Sequence, residues 1–255
     1  MITWKSFLPV VLLLAAVNAY LFFQTHQLQA SFESQQPPGE SDIIALIDER
    51  ITVLEKRKAK QVLAQLVDRY QLAAEEIPDG HLLYGDPTAR IILQEYADIE
   101  CPYCRRMHSG LKQVVDHSQG VIAWEFKHFP LSNHNPAAAI EAQAIECIRE
   151  TYGNRIAWVA IEKLMAETKG NGKGLESIPT LAQSFSLNGS LINTCLASDS
   201  HKDAINRDYS EGRNAGISAT PALNIIDKQT GRHYLVKGYK TPEQLLQVIQ
   251  NILTQ

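Results

Sequence analysis

The sequence predicts an α/β domain in which a βαβ unit and a ββα unit are separated by a long helical insert. Three observations carry this prediction. Short apolar runs with strand composition stand at residues 82–84, 90–97, 121–129, 221–226 and 233–236, bounded by turn-forming residues. From about 135 to 216 no such run occurs, and helical periodicity recurs over 136–150, 155–168, 177–185, 189–197 and 202–214. A helix opens at Pro102 directly behind the second strand, and a last one follows Thr241, a capping residue, over 242–253.

Appendages precede this domain. Residues 7–23, FLPVVLLLAAVNAYLFF, are nearly all apolar. Lys5 stands before the run, and no Lys or Arg follows until Arg50. This charge bias leaves the N-terminus in the cytoplasm and sends the rest of the chain across the membrane. A cleavable signal peptide ending at Ala19 and a retained anchor compete. Leu21, Phe22 and Phe23 beyond that cut favour a transmembrane signal-anchor over 1–24. Residues 25–40, with Pro37-Pro38-Gly39, read as a linker. An arm over 41–76 comes next, a helix capped by Ser41 and running to about 74. It carries one stripe of Ile44, Ile47, Ile51 and Leu54 and a second of Val62, Leu63, Leu66 and Tyr70. The register slips between the stripes, as in an imperfect coiled-coil seam. Such a helix either packs on its own domain or joins copies of the chain into a homo-oligomer through 41–74. Ile77-Pro78-Asp79-Gly80 breaks it, and the α/β domain fills 77–255.

The composition is ordinary for a globular protein, 45% hydrophobic and 20% charged, with a formal net charge of -4. The lone basic run, Lys56-Arg57-Lys58, lies in a mixed-charge helix. No nucleic-acid partner is expected.

Chemistry is concentrated in Cys101-Pro102-Tyr103-Cys104, between the second strand and its helix. A cysteine at a helix N-terminus faces unpaired backbone N–H groups and the positive end of the helix dipole, which favour its thiolate. Pro102 suits the first turn, where its missing N–H is no loss. The pair reads as a redox dithiol, because the thiolate is the species that attacks disulfides. Half a zinc site is the rival, but Cys147 and Cys195 are distant and His108 alone completes no ligand set. A structural staple over so short a loop gains little.

In this order, three segments resemble the DsbA-like family of exported thiol–disulfide oxidoreductases. They are Glu95-Tyr96-Ala97-Asp98-Ile99-Glu100-Cys101-Pro102-Tyr103-Cys104, Phe126-Lys127-His128-Phe129-Pro130-Leu131 and Gly216-Ile217-Ser218-Ala219-Thr220-Pro221-Ala222. The resemblance covers roughly 80–255 and implies a thioredoxin fold with the helical insert. It implies a cis peptide bond at Pro221, which brings the Thr220 backbone beside the Cys101 sulfur and offers an edge to which a substrate peptide adds as a strand. It also implies an acid beneath the second cysteine. Glu95 fills that place, with Lys127 as its partner, a surface ion pair being the alternative. An acid in apolar surroundings holds its proton more tightly and can exchange it near neutral pH. Cys147 and Cys195, an even pair in an exported domain, are expected to form a structural disulfide in the insert, two free thiols being the alternative.

The expectation is therefore an oxidoreductase in the inner membrane, its catalytic domain in the periplasm. It needs no metal and no cofactor beyond its own dithiol. Its partners are unfolded or misoxidised secreted proteins and a membrane redox partner. Pro102-Tyr103 and Thr220 resemble the isomerase and reductase branches, while the insert and the context of Glu95 resemble the oxidases, so direction stays open. A glutaredoxin shares the Cys-Pro-Tyr-Cys string but lacks the insert and export segment. A redox-inactive chaperone or binding module on the same scaffold is the alternative from another class.

Overall fold

The computed structural model of the chain describes residues 8–33, 39–74 and 81–254. The chain divides into two compact units, Met1–Glu55 and Lys56–Gln255.

The first unit holds helix α1, Leu8–Glu33, and the start of helix α2, Glu40–Arg69. The linker expected over 25–40 is thus helical as far as Glu33. Residues 24–33 contain no Gly or Pro, so nothing stops the helix there. Pro37 and Pro38 lie outside the described residues, as does the break at 77–80. Among the described residues no helix is long and apolar enough to cross a membrane. Helix α2 begins at Glu40, one residue before the expected cap, with the Gly39 N–H donating to Asp42 Oδ2 at 3.1 Å.

The two stripes of α2 differ in environment. Ile44, Ile47, Ile51 and Leu54 are 47–59% exposed. Leu66 is buried in the core of the second unit, followed there by Tyr70 and Ala73, with Val62, Leu63 and Val67 packed against them. The arm therefore supplies core to its own domain over its last turns.

The second unit is built on a five-stranded sheet of order β1-β3-β2-β4-β5. Strands β1 (Leu82–Tyr84), β2 (Ile91–Ala97), β3 (Ile122–His128), β4 (Ala222–Asp227) and β5 (Arg232–Lys237) fall where alternation and turn residues place them. β2 and β3 are parallel, joined through helix α3 (Pro102–Asp116), and the other pairs are antiparallel. α3 buries Cys104, Met107, His108, Leu111, Val114 and Val115, one face at helical spacing. Helix α9, Pro242–Leu253, starts with a complete capping box between Thr241 and Gln244. It approaches α3 so closely that a Cβ on Gly110 would stand 3.2 Å from Pro242 Cγ.

The insert consists of a 3-10 turn, Ser132–His134, and helices α4 (Ala137–Tyr152), α5 (Asn154–Glu167), α6 (Ile178–Ser184), α7 (Gly189–Ser198) and α8 (Lys202–Asn214). Trp158 of α5 sets its ring 4.4 Å from that of Trp124 in β3, tilted by 57°, and donates to Leu83 O, so insert and sheet share one core. A disulfide between Cys147 and Cys195 ties α4 to α7. It closes a 48-residue separation, which in the chain-entropy picture restricts the unfolded chain by about 4 kcal/mol. α8 returns to the sheet with Gly212, where a Cβ would meet Tyr96 Cδ1 at 2.7 Å.

Candidate active site

The end of β2 delivers Cys101 to the N-cap of α3, with Pro102 in the first turn. The Cys101 N–H donates to Asp98 O at 3.0 Å, which fixes the turn between strand and helix. Cys101 is 5% exposed and Cys104, one turn on, is fully buried. Both are free thiols here. The Thr220–Pro221 bond is cis, and the Cys101 thiol donates to Thr220 O at 3.6 Å. Thr220 and Pro221 thus stand where expected, immediately before β4. The Thr220 hydroxyl is buried with no partner.

The two sulfurs are driven apart in acidity. Cys101 is lowered to about 6 by the hydrogen bond from the Cys104 thiol, with the backbone N–H groups of Cys104 and Tyr103 assisting against burial. Cys104 is pushed well above the ordinary thiol range by burial and by the neighbouring Cys101 and Glu95. The arrangement is one of an easily ionised thiol with a narrow exposed edge and a fully buried, protonated reserve thiol.

Glu95 lies beneath the dithiol and is fully buried. Burial raises its carboxyl to about 8, opposed by the Trp124 indole N–H, which donates to Oε2 at 3.1 Å. Oε1 has no partner. Lys127 is not the partner of Glu95. Register places Glu95 opposite Phe126 and Lys127 opposite Tyr96, and successive residues of a strand point to opposite faces. Lys127 instead lies buried on the other face within 3.3 Å of Glu125, Asp208 and Glu211. Burial lowers its ammonium, but those carboxylates outweigh it and hold the group charged. Its role is to fasten α8 to β3.

Several residues at the site escaped the sequence reading. Trp124 is one, since a tryptophan in a core strand gives no sign of its indole partner. Asp98 and Glu100 are others. Asp98 accepts from the Glu100 N–H, the Leu131 N–H and His134 Nδ1, each at 2.8 Å. Glu100 accepts from the Thr168 hydroxyl and, at 3.0 Å, from the Gly174 N–H, while its carbonyl accepts from the Asn171 N–H at 2.8 Å. These two carboxylates pin the β3–α4 and α5–α6 connections to the residues before Cys101. The spacing Gly170-x-Gly172-x-Gly174 was the available signal: all three glycines have positive φ, a backbone open chiefly to glycine. Among the described residues one cluster has metal-ligating types, Cys147, Cys195 and His201, and its two sulfurs are bonded to each other.

A five-stranded α/β sheet, a Cys-x-x-Cys at a helix N-cap and a cis-proline loop against the first sulfur together define a dithiol protein of thioredoxin architecture. A family model described as Thioredoxin matches residues 78–251. The chain belongs to that family and is a DsbA-like member of it. The crystal structure of Pseudomonas aeruginosa DsbA2 superposes with a TM-score of 0.62 at 35% identity, over 69% of this chain and 96% of that one. Bacillus subtilis BdbD, at 17% identity, shares the fold, with a TM-score of 0.59 over 72% of this chain and 98% of that one. Among curated relatives, Thiol:disulfide interchange protein DsbC of Dickeya dadantii is 23% identical over 175 residues, 69% of this chain and 57% of that protein. Na(+)/H(+) antiporter NhaA 1 of Mycobacterium sp. (strain KMS) is 35% identical over 69 residues, 27% of this chain. The chain spans only 11% of that antiporter's length.

Proposed function

We propose that the protein is a thiol–disulfide oxidoreductase acting on unfolded or misoxidised exported polypeptides. The observation that carries this reading is the opposed acidity of Cys101 and Cys104 beside Thr220 O. In the oxidising direction a substrate thiolate attacks Cys101 Sγ of the Cys101–Cys104 disulfide. That bond breaks, and Cys104 leaves and takes a proton from neutral Glu95. A second substrate thiolate then displaces Cys101, which leaves as its thiolate. Two electrons have passed from substrate to protein, and an acceptor, taken to be a membrane redox partner, restores the disulfide. In the reducing or isomerising direction the Cys101 thiolate attacks a substrate bridge. Cys104, giving its proton to the ionised form of Glu95, attacks Cys101 in a trapped complex, and the substrate sulfur leaves as its thiolate. The DsbA2 likeness and the name of the DsbC relative support both directions. The direct test is Cys104→Ala, which should accumulate mixed disulfides between Cys101 and substrate thiols. Absence of any adduct, with Cys101 free to alkylate, contradicts the reading.

Export is part of the proposal. It is supported by the Cys147–Cys195 disulfide, a bond that persists in oxidising compartments, and by the apolar run over 7–23. Attachment to the inner membrane through 1–24, with the domain in the periplasm, is checked by carbonate extraction: release of the chain into the soluble fraction contradicts it. Self-association through the exposed stripe Ile44, Ile47, Ile51 and Leu54 is likewise proposed.

A further inference from the structure

The loop joining α5 to α6 is a rigid platform set against the dithiol. Thr168 and Gly174 are bonded to the Glu100 carboxylate and Asn171 to the Glu100 carbonyl. A Cβ on Gly170 would lie 3.9 Å from Pro102 Cγ, so the loop touches both chain neighbours of Cys101. On its other side, a Cβ on Gly172 would come within 3.0 Å of His134 Cα and one on Gly174 within 3.1 Å of Ala137 Cβ. The loop is wedged between the active-site turn and the start of the insert. Its buried positions are Thr168, Gly170 and Gly174, and the side chains between them, Lys169, Asn171 and Lys173, are exposed. The first turn of α3 adds exposed Arg105, bonded to Thr168 O at 2.8 Å, and exposed Arg106, whose guanidinium lies 5.6 Å from the Tyr103 ring centre. Neither lysine forms an ion pair with another described residue; the nearby carboxylates Asp98 and Glu100 are buried and bonded, and Glu141 beside Glu100 is buried, its proton held by burial and by the neighbouring acids. The exposed acids closest in sequence, Glu167 and Glu176, flank the loop at its two ends. A chain of net charge -4 thus carries four exposed cations on the loop and the helix start that adjoin the Cys101 turn.

We infer that Lys169 and Lys173, with Arg105 and Arg106, form a docking rim for acidic side chains, so that the substrate segments taken are those with Asp or Glu flanking the reacting cysteine. This rests on the oxidoreductase reading and names its substrate class. Opposite charge on the incoming chain speeds encounter and helps hold it while the sulfurs exchange. Screening by salt removes the advantage, since the rim is solvent-exposed.

The test uses the oxidised full-length protein and three reduced two-cysteine peptides whose flanking residues are Asp/Glu, Gln or Lys. The acidic peptide should react about tenfold faster than the basic one at low salt, and the difference should collapse in high salt. The variant Lys169→Glu with Lys173→Glu should reverse the order. The same charge change at the far end of the sheet, Lys228→Glu with Arg232→Glu, should leave the order as it was. Equal, salt-independent rates for the three peptides overturn the rim while leaving the oxidoreductase reading intact. An equal shift from the distant pair overturns it too, by assigning the effect to net charge. Failure of the neutral peptide to react at all overturns both.

Discussion

Cys101 and Cys104 are the same side chain one helical turn apart, and their surroundings alone separate them. The titration of Cys101 should show as a rise in alkylation rate with a midpoint near pH 6, at the level to which its neighbours lower it. Cys104 should stay unlabelled through neutral pH. A single common midpoint near the ordinary thiol value contradicts the assignment. The same shifts have consequences for stability. A group lowered from 9.0 to about 6 leaves the native state with fewer protons than the unfolded chain in that window. The dithiol form therefore gains stability from Cys101 as pH rises from 6 to 9 and loses it as pH falls through 6. Glu95, raised from 4.5 to about 8, acts oppositely: its contribution is present below 4.5 and declines as pH rises through 8. Glu95→Gln keeps an acceptor for Trp124 but no exchangeable proton. It should slow resolution of the mixed disulfide by Cys104 by about 100-fold, the low end for a lost acid–base group, in single-turnover quench measurements. Lys127→Met, on the other face, should instead cost about 3 kcal/mol in urea unfolding, because it removes the cation shared by the buried Glu125 carboxylate and that of Asp208. The Cys101 midpoint should be unchanged.

At the scale of elements, local pattern was a good guide wherever local chemistry decides. β1, α8 and α9 begin and end where the periodicity and turn residues put them, and β2, β3 and β4 shift by one residue or so. Cys101 and Cys104 were legible from their spacing at a helix start, whereas Thr220 and Pro221 were legible only through the family resemblance. The failures have a common cause in long-range contacts. Glu95 and Lys127 both lie on apolar strands, but only register shows that they face apart. Glu100 is anchored by residues more than 60 positions away, and no window on the sequence reveals that. The reading of 25–40 as a linker weighted its polarity and Pro37-Pro38-Gly39 over the absence of Gly and Pro from 24–33, where the chain is helical. The insert supplies its own prediction. Replacing Cys147 and Cys195 with Ala should lower the unfolding free energy by up to about 4 kcal/mol, read by urea denaturation. Dithiol chemistry should survive, since Cys101 and Cys104 stand at the start of α3 while the bridge joins α4 to α7.

For the molecule as a whole, α2 divides into two stretches: its later stripe is core, and its earlier one is exposed, the surface through which self-association is proposed. Ile47→Glu with Ile51→Glu should therefore reduce the sedimenting mass of residues 41–255 to that of one chain without disturbing the dithiol. An unaltered mass, or a single chain before mutation, contradicts self-association through this stripe. The central claim is that Cys101 and Cys104 form one reversible two-electron couple that exchanges with other thiols. Equilibration of the protein in graded mixtures of reduced and oxidised glutathione, quenched with acid and read by thiol labelling, tests it directly. Cys101 and Cys104 should gain and lose label together along one two-electron transition while Cys147 and Cys195 stay bonded. A pair that never closes across the whole range of mixtures, or closes only by adding glutathione to each sulfur, would contradict it.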